Sequence, residues 1–149
     1  MTRFALDSSA LVAWVTQENS RWRRVEALLT QPGSQPILPG PGLTETIAVA
    51  RRKGNTSSGA TLRTVFLARG IVVEQLADQD LVRAAELLEE SALNPGPPHP
   101  SSGVTPTLSL GDALILAIVE RLGIPVVTAD TYWQGFSLGG HTSATVVLL

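Results

Sequence analysis

The sequence predicts an α/β fold in which a parallel sheet lies between helices on both of its faces. Short apolar segments alternate along the chain with longer segments whose apolar residues recur at helical spacing. The strand-like segments are apolar on consecutive residues, as expected for strands buried on both faces of a parallel sheet. A length of 149 residues suits one domain, so we expect residues 1–149 to form a single domain.

The first part of the chain predicts two strands and two helices. Residues 3–6 form a strand-like run that stops at an aspartate. Residues 8–15 and 21–29 then carry apolar residues at helical spacing. Residues 31–42 contain four prolines and three glycines, which predicts two loops around a very short strand at 37–38.

The middle of the chain continues the alternation. Residues 43–53 predict a helix that ends in three basic residues and is followed by a glycine, a common helix stop. Residues 58–68 predict another helix, and the β-branched residues 71–73 predict a short strand. A regular apolar stripe predicts a helix over 78–93.

The last part of the chain opens with a proline-rich loop over residues 94–107. This segment has five prolines, two glycines and no Asp, Glu, Lys or Arg, and loops of this length tend to be functional or disordered. Residues 110–122 are apolar nearly all round, which predicts a buried helix. Residues 124–129 and 144–149 predict the last two strands.

The composition excludes several classes of protein. The absence of cysteine excludes a disulfide framework and any thiolate metal site. With 11 basic and 13 acidic residues the net charge is −2, so the surface as a whole is not built to attract phosphate. The longest purely apolar run, residues 113–119, is far shorter than the roughly 20 residues that a membrane span needs. No signal segment is recognised, and we expect a soluble, cytoplasmic protein without membrane association.

Four acidic residues are expected at one edge of the sheet. Asp7 and Asp130 directly follow predicted strands, and the carboxyl ends of parallel strands share one edge, where such folds bind ligands. Glu45 and Asp112 lie in the first turns of predicted helices that begin at the same edge. The topology therefore predicts that the four carboxylates converge on one patch.

Such a patch must take up protons or bind a cation. Two carboxylates about 4 Å apart repel by roughly 1 kcal/mol in water and by more near a protein surface. Oxygen ligands, in a chain with no cysteine and no well-placed histidine, favour Mg²⁺ or Mn²⁺. Such ions activate water and stabilise the leaving oxygen of a phosphodiester, so the patch predicts metal-dependent hydrolysis of a nucleic-acid backbone.

Each of these acids also has a purely local interpretation. Asp7 suits the cap of the helix that follows it, and Asp130 suits the cap of the next turn. Ser109 and Asp112 have the spacing of a capping box, and Glu45 in a first turn suits the helix dipole. Local roles are the more common ones for single residues, but four of 13 acids on one predicted edge favour a joint role.

Four segments resemble, in order, the motifs of a known family. They are residues 6–11 (LDSSAL), the isolated Glu45, residues 108–115 (LSLGDALI) and residues 123–130 (GIPVVTAD). On these segments the chain resembles PIN-domain ribonucleases, and in particular the VapC-type toxins of bacterial toxin–antitoxin pairs. The resemblance covers nearly the whole chain; its first and last two segments are specific, whereas a lone glutamate is a weak signal.

The resemblance implies a PIN-like α/β/α sandwich with an acidic catalytic pocket. The implied catalytic residues are Asp7, Glu45, Asp112 and Asp130. Among them Asp7, Asp112 and Asp130 would bind metal, the first two most directly. The hydroxyl residues that match positions beside the pocket are Ser8, Ser9 and Thr128. Local turn and cap hydrogen bonds explain these hydroxyls equally well.

The resemblance also implies a function and its partners. It implies an endoribonuclease with Mg²⁺ or Mn²⁺ as cofactor, RNA as substrate, a homodimer, and a cognate antitoxin that blocks the pocket. The sequence departs from the family at residues 94–107, a proline-rich insertion that bears on substrate access and on partner geometry. It departs again at Trp133, where a polar residue is common; core packing is favoured there over stacking on a base.

The remaining functional signals are weaker. Arg51, Arg52 and Lys53 suit the end of a helix by its dipole, and are alternatively RNA contacts. His99 and His141 are expected to be solvated and without a catalytic role.

Two other functions are compatible with the sequence. One is a non-catalytic PIN-like module that binds RNA or protein, and the other is a housekeeping RNA-processing nuclease of the same fold. A phosphoacceptor receiver domain is disfavoured because residues 54–73 contain no aspartate. Motifs of P-loop NTPases, dinucleotide-binding folds and α/β-hydrolases are also lacking.

Overall fold

The computed structural model describes residues 2–149, which form five strands and seven helices. The strands are β1 (Thr2–Leu6), β2 (Ser34–Pro39), β3 (Val72–Glu74), β4 (Val126–Thr128) and β5 (Val146–Leu148). The helices are α1 (Ser8–Thr16), α2 (Arg21–Thr30), α3 (Gly40–Arg52), α4 (Gly59–Ala68), α5 (Asp78–Leu93), α6 (Leu110–Leu122) and α7 (Thr131–Leu138).

All strand pairs in the sheet are parallel, and the strand order is β3-β2-β1-β4-β5. The chain moves outward from β1 to β3 and then restarts on the other side of β1 with β4. The strand order therefore reverses between β1 and β4, which is where doubly wound sheets bind ligands at the carboxyl ends of their strands. Leu6 pairs with Val127 at this point, so the residues that follow them leave the sheet side by side.

Helices cover both faces of the sheet, which confirms the predicted α/β/α class. Alternate strand residues point to opposite faces. Ala5 and Val126 belong to one core with residues of α5, α6 and α7, whereas Leu6 and Val127 belong to a second core with residues of α1 to α4. In the described part of the chain, no helix is both long enough and apolar enough to cross a membrane.

The start of α3 and the presence of α7 differ from the prediction. Residues 39–42 are not a loop, because α3 begins at Gly40 and has a proline in its first turn. Proline is tolerated there since the first helical N–H groups have no intrahelical partner. Glu45 consequently lies in the second turn of α3 and not in its first. Helix α7 was not predicted, because it is only eight residues long and contains Gly135.

The two aromatic predictions had opposite outcomes. Trp133 is fully buried in the core, as expected. The prediction that His141 is solvated was wrong: its Nδ1 lies 2.6 Å from Glu90 Oε1, and its ring stacks 5.3 Å from that of Phe136. His99 is exposed, as expected.

Candidate active site

Asp7 is a buried carboxylate at the carboxyl end of β1. Its Oδ2 accepts hydrogen bonds from the hydroxyls of Ser9 at 2.7 Å and Thr128 at 2.8 Å. The Ser8 hydroxyl makes a longer contact of 3.4 Å to Oδ1. Although Asp7 is at the N-cap position of α1, its side chain makes no capping bond, so the local interpretation was wrong. All three hydroxyls proposed from the sequence therefore contact this carboxylate.

The pKa of Asp7 is raised chiefly because burial disfavours its charged form. The negative charge of Glu45 raises it further, and the hydrogen bonds from Ser9 and Thr128 oppose the rise. Asp7 is 3% exposed and no basic side chain of residues 2–149 pairs with it. A charge in this position needs a proton or a cation.

Asp112 combines a local role with a place in the acidic patch. Its Oδ2 accepts the Ser109 N–H at 3.1 Å, and its own N–H donates to the Ser109 hydroxyl, so the predicted capping box is present. Within the described residues Oδ1 has no hydrogen-bond partner. Burial raises the pKa of Asp112 to about 6, with the charges of Asp7 and Glu45 adding to the effect. The three carboxylates are therefore close enough to interact.

Glu45 reaches the start of α6 because residue 111 has no side chain. A Cβ on Gly111 would lie 2.8 Å from Glu45 Oε2, nearer than a carbon and an oxygen can approach. Glu45 has no hydrogen bond or ion pair with any residue of 2–149. The glycine of the 108–115 segment thus has a physical explanation that the sequence did not supply.

Asp130 combines a capping role with a hydrogen-bonded link to Asp7. Its Oδ1 accepts the Tyr132 N–H at 3.0 Å, which confirms the predicted capping role. Its own N–H donates to the Thr128 hydroxyl, which in turn donates to Asp7. Asp130 is thus linked to Asp7 through Thr128, but its charge is not among those that raise the pKa of Asp7 or Asp112.

The four candidate acids differ from the other buried or half-buried acids in lacking a basic partner. Seven of the 13 acidic residues have a basic partner within residues 2–149: Glu90 hydrogen-bonds His141, and ion pairs with Arg or Lys are formed by Glu18, Glu26, Glu74, Asp80, Glu86 and Glu120. Of the remaining six, Asp78 and Glu89 are exposed to water. The buried or half-buried acids without a basic partner in residues 2–149 are thus the four that the sequence singled out.

The donor chemistry of these acids fits a divalent ion, although the side chains do not form a preassembled site. No three His, Asp or Glu residues in the described chain are grouped closely enough to hold a metal ion. The fit rests on unpaired carboxylate oxygens, which hard ions such as Mg²⁺ prefer, and on the raised pKa values of Asp7 and Asp112, which a bound cation would relieve.

The basic cluster at the end of α3 is partly engaged by the protein itself. Arg51 donates to Ser57 O at 2.9 Å, and Lys53 forms a 2.7 Å ion pair with Glu18, which leaves Arg52 without a partner in residues 2–149. Lys53 and Arg21 line a cavity of about 280 Å³ that also contains Ser9 and Glu45. Arg21 was not predicted as a site residue, since only the tertiary fold brings α2 to the acidic patch.

Residues 4–136 match the sequence model of the PIN domain family, which is most of the chain. The chain belongs to the PIN domain family. No curated protein sequence matches it significantly. The resemblance stated from the motifs is therefore confirmed at the level of the family.

Solved structures with the same fold belong to VapC toxins and VapBC complexes. A structure of VapC20 of Mycobacterium tuberculosis, a toxin that cleaves the sarcin–ricin loop, has a TM-score of 0.66 and 19% identity over 92% of this chain and 95% of that one. The DNA-bound VapBC2 complex of Rickettsia felis has a TM-score of 0.67 and 14% sequence identity, over 99% of this chain and 98% of that one. The DNA-bound VapBC of Salmonella typhimurium has a TM-score of 0.65 and 16% sequence identity, over 99% of this chain and 98% of that one. At these identities the likeness concerns the PIN fold alone.

Proposed function

We propose that this PIN domain is a metal-dependent endoribonuclease that acts as the toxin of a toxin–antitoxin pair. The observation that carries the proposal is a cluster of carboxylates without basic partners at the point where the strand order reverses. Asp7, Glu45 and Asp112 are close enough for the charge of one to raise the pKa of another. The shared fold with VapC20, a ribosomal-RNA-cleaving toxin, supports RNA as the substrate. The proposal treats residues 1–149 as one nuclease domain acting in the cytoplasm.

Asp7 and Asp112, assisted by Asp130, are the residues that would hold Mg²⁺ or Mn²⁺. When bound, such an ion lowers the pKa of water and neutralises charge at the phosphate. Ser9 and Thr128 fix Asp7 through its Oδ2, whereas Oδ1 has only the longer, 3.4 Å contact with the Ser8 hydroxyl. Glu45 has no internal partner, so its carboxylate can orient the attacking water. Attack at phosphorus leaves a 5′-phosphate and a 3′-hydroxyl.

A protein partner belongs to the same proposal. The structures from Rickettsia felis and Salmonella typhimurium are VapBC complexes bound to DNA. By analogy, this chain would form a homodimer and bind a cognate antitoxin. Exposed apolar side chains support it: Val82 is 64% exposed and Leu81 is 51% exposed on α5. Adjacent exposed apolar residues are typical of surfaces that another chain covers.

Cleavage of labelled single-stranded RNA in Mg²⁺, Mn²⁺ or EDTA tests the catalytic part. We expect 5′-phosphate products with either ion and none in EDTA. Titration calorimetry with Mn²⁺ accompanies the assay. If the chain neither binds Mn²⁺ nor cuts RNA, the proposal is wrong and a non-catalytic PIN-like module is the better description. Growth arrest on expression, relieved by a small protein encoded next to this gene, tests the toxin part and separates it from a housekeeping nuclease.

We expect Gly111→Ala to lower cleavage without unfolding the protein. The new methyl group would displace the Glu45 carboxylate, whose side chain is flexible enough to move away. Helix α6 itself should gain up to about 1 kcal/mol, because alanine is a better helix former than glycine. Cleavage rates and urea unfolding measure the two effects.

A double-mutant cycle with Glu45→Ala serves as the control for this prediction. If Gly111→Ala acts through Glu45, it should have no further effect on cleavage once Glu45 is removed. Equal losses in both backgrounds would show that residue 111 affects cleavage by another route.

A further inference from the structure

The proline-rich loop and α7 enclose a groove beside the acidic cluster. This loop groove has a volume of about 1050 Å³. Its walls include all five prolines of the loop, the rings of Tyr132 and Phe136, and the imidazoles of His99 and His141. The volume is at the upper end of the range of about 300–1,000 Å³ for small-molecule sites, which suits a ligand extending beyond a single ring.

Hydrogen bonds to α7 hold the loop in place. The Leu108 N–H donates to Ser91 Oγ, which lies 2.8 Å from Tyr132 Oη. Tyr132 Oη donates in turn to Asn94 O at 2.8 Å. Both ends of the loop are thus tied to one tyrosine. A side chain at Gly96 would lie 2.9 Å from Tyr132 Cδ1, so glycine permits the close packing.

The loop groove is continuous with the candidate active site. Asp130 is part of its lining, and Asp130 accepts the backbone N–H of Tyr132. Through Thr128 the same aspartate is linked to Asp7. A strand of RNA bound at Asp7 that continued past Asp130 would reach the loop groove.

The chemistry of the groove suits a base and not a phosphate. No lysine or arginine lines it, and Asp130 is the one carboxylate among its lining residues. Phosphate oxygens would find no positive charge there. Flat apolar faces of proline and aromatic rings are surfaces on which unpaired bases stack, and this stacking is common in single-stranded RNA recognition.

The two histidines offer complementary hydrogen-bonding groups. His99 Nδ1 accepts the Ser101 N–H at 3.3 Å, so the proton of the neutral ring is on Nε2, which is a donor. His141 Nδ1 donates to Glu90 at 2.6 Å, so its Nε2 is an acceptor when the ring is neutral. Neither Nε2 has a hydrogen-bond partner within residues 2–149. The edge of a nucleobase presents matching donors and acceptors.

We propose that the loop groove binds an unpaired base of the RNA next to the bond that is cut, and that His99 and His141 read the edge of that base. The inference rests on the proposed ribonuclease function and adds to it a preference for one base at one position.

Cleavage of an RNA pool randomised around the cut site tests the base preference. We expect the wild-type chain to favour one base at one position beside the cut. His99→Ala should lower the ratio of cutting at the favoured and disfavoured bases by roughly fivefold, the usual effect of one hydrogen bond. Thr105→Ala is the matched control, since Thr105 is exposed in the same loop but does not line the groove. A full base preference in His99→Ala would overturn the inference and leave the ribonuclease function standing.

A binding measurement separates the two proposals. The imidazole NMR signals of the whole chain are followed in Mg²⁺ during titration with the four ribonucleoside 5′-monophosphates. These probes contain no internucleotide bond, so they cannot be cut. We expect both imidazoles to shift, and one monophosphate to shift them at the lowest concentration. Such shifts in a chain that cuts no RNA would disprove the ribonuclease function and support the base site. Shifts with an apolar, proline-containing peptide and with no nucleotide would disprove the base site.

Discussion

Asp7→Asn is expected to abolish RNA cleavage while leaving the protein folded. The substitution removes a charged ligand at the centre of the acidic cluster, which should reduce the rate by about a hundredfold or more, equivalent to about 3 kcal/mol of transition-state stabilisation. The asparagine oxygen can still accept the hydrogen bonds of Ser9 and Thr128. Single-turnover cleavage in saturating Mn²⁺ measures the loss.

The stability of Asp7→Asn distinguishes a functional charge from a structural one. Burial raises the pKa of Asp7 above its value in the unfolded chain. As the pH rises above the unfolded-chain pKa, the contribution of Asp7 to stability therefore decreases, because the folded chain must hold a buried charge. The neutral amide removes this cost, so in EDTA at pH 7 the variant should melt at the wild-type temperature or above. A large decrease in the melting temperature would contradict our assignment and make Asp7 a structural residue.

Asp78→Asn is the matched control for this experiment. It makes the same chemical change at an exposed acid in the first turn of α5. Loss of a favourable interaction with the helix dipole should cost about 0.3–1 kcal/mol. Cleavage should stay at the wild-type rate, which shows that the effect of Asp7 does not come from net charge.

The second large effect is a pH dependence governed by Asp112. Its pKa of about 6, against 3.8 in an unfolded chain, means that the folded state holds this proton more tightly. In EDTA the free energy of unfolding should therefore decrease as pH rises from about 4 to about 6, by up to about 3 kcal/mol at 1.36 kcal/mol per pKa unit. Mn²⁺ should reverse the decrease, because the metal binds the deprotonated form. Urea unfolding between pH 4 and 8, with Mn²⁺ or with EDTA, measures the decrease in the free energy of unfolding and its reversal by the metal.

Two variants identify the group responsible for this pH dependence. Asp112→Asn should remove the part of the decrease in EDTA that comes from Asp112, leave the part that comes from Asp7, and weaken the effect of Mn²⁺. Glu45→Gln should shift the curve to lower pH, because the charge of Glu45 helps to raise the pKa of Asp112. Below pH 6 cleavage should decrease by about tenfold per pH unit if one proton must leave Asp112. A wild-type stability in EDTA that is constant from pH 4 to 8 would disprove the assignment.

Local patterns predicted the central elements well. Helices α5 and α6 begin and end at the predicted residues, since each has an uninterrupted apolar stripe and clear end signals. The capping box of Ser109 and Asp112 was also predicted, because both partners lie within one turn. The short helix α7 was not, since eight residues hold too few turns for a reliable period.

Contacts between distant residues explain what the sequence did not predict. The hydrogen bond of His141 to Glu90 joins residues 51 positions apart, and no local pattern encodes it. Likewise, the role of Gly111 depends on Glu45 from another helix. The position of Asp7 beside Thr128 was predictable only because parallel strands share their carboxyl ends. The closeness of Asp7, Glu45 and Asp112 was thus predictable from topology, whereas the deeper burial of Asp7 and the lack of an effect of the Asp130 charge on Asp7 and Asp112 required coordinates.

The pairing of β1 with β4 has a consequence for how the protein is made. The hydrogen bond between Thr128 and Asp7 joins residues 121 positions apart, and Ser9 meets Thr128 across 119 positions. During translation Asp7 leaves the ribosome long before Thr128. The hydrogen bonds around Asp7 are therefore incomplete through most of the synthesis of the chain. The carboxylate site around Asp7 is therefore completed only after β4 has left the ribosome.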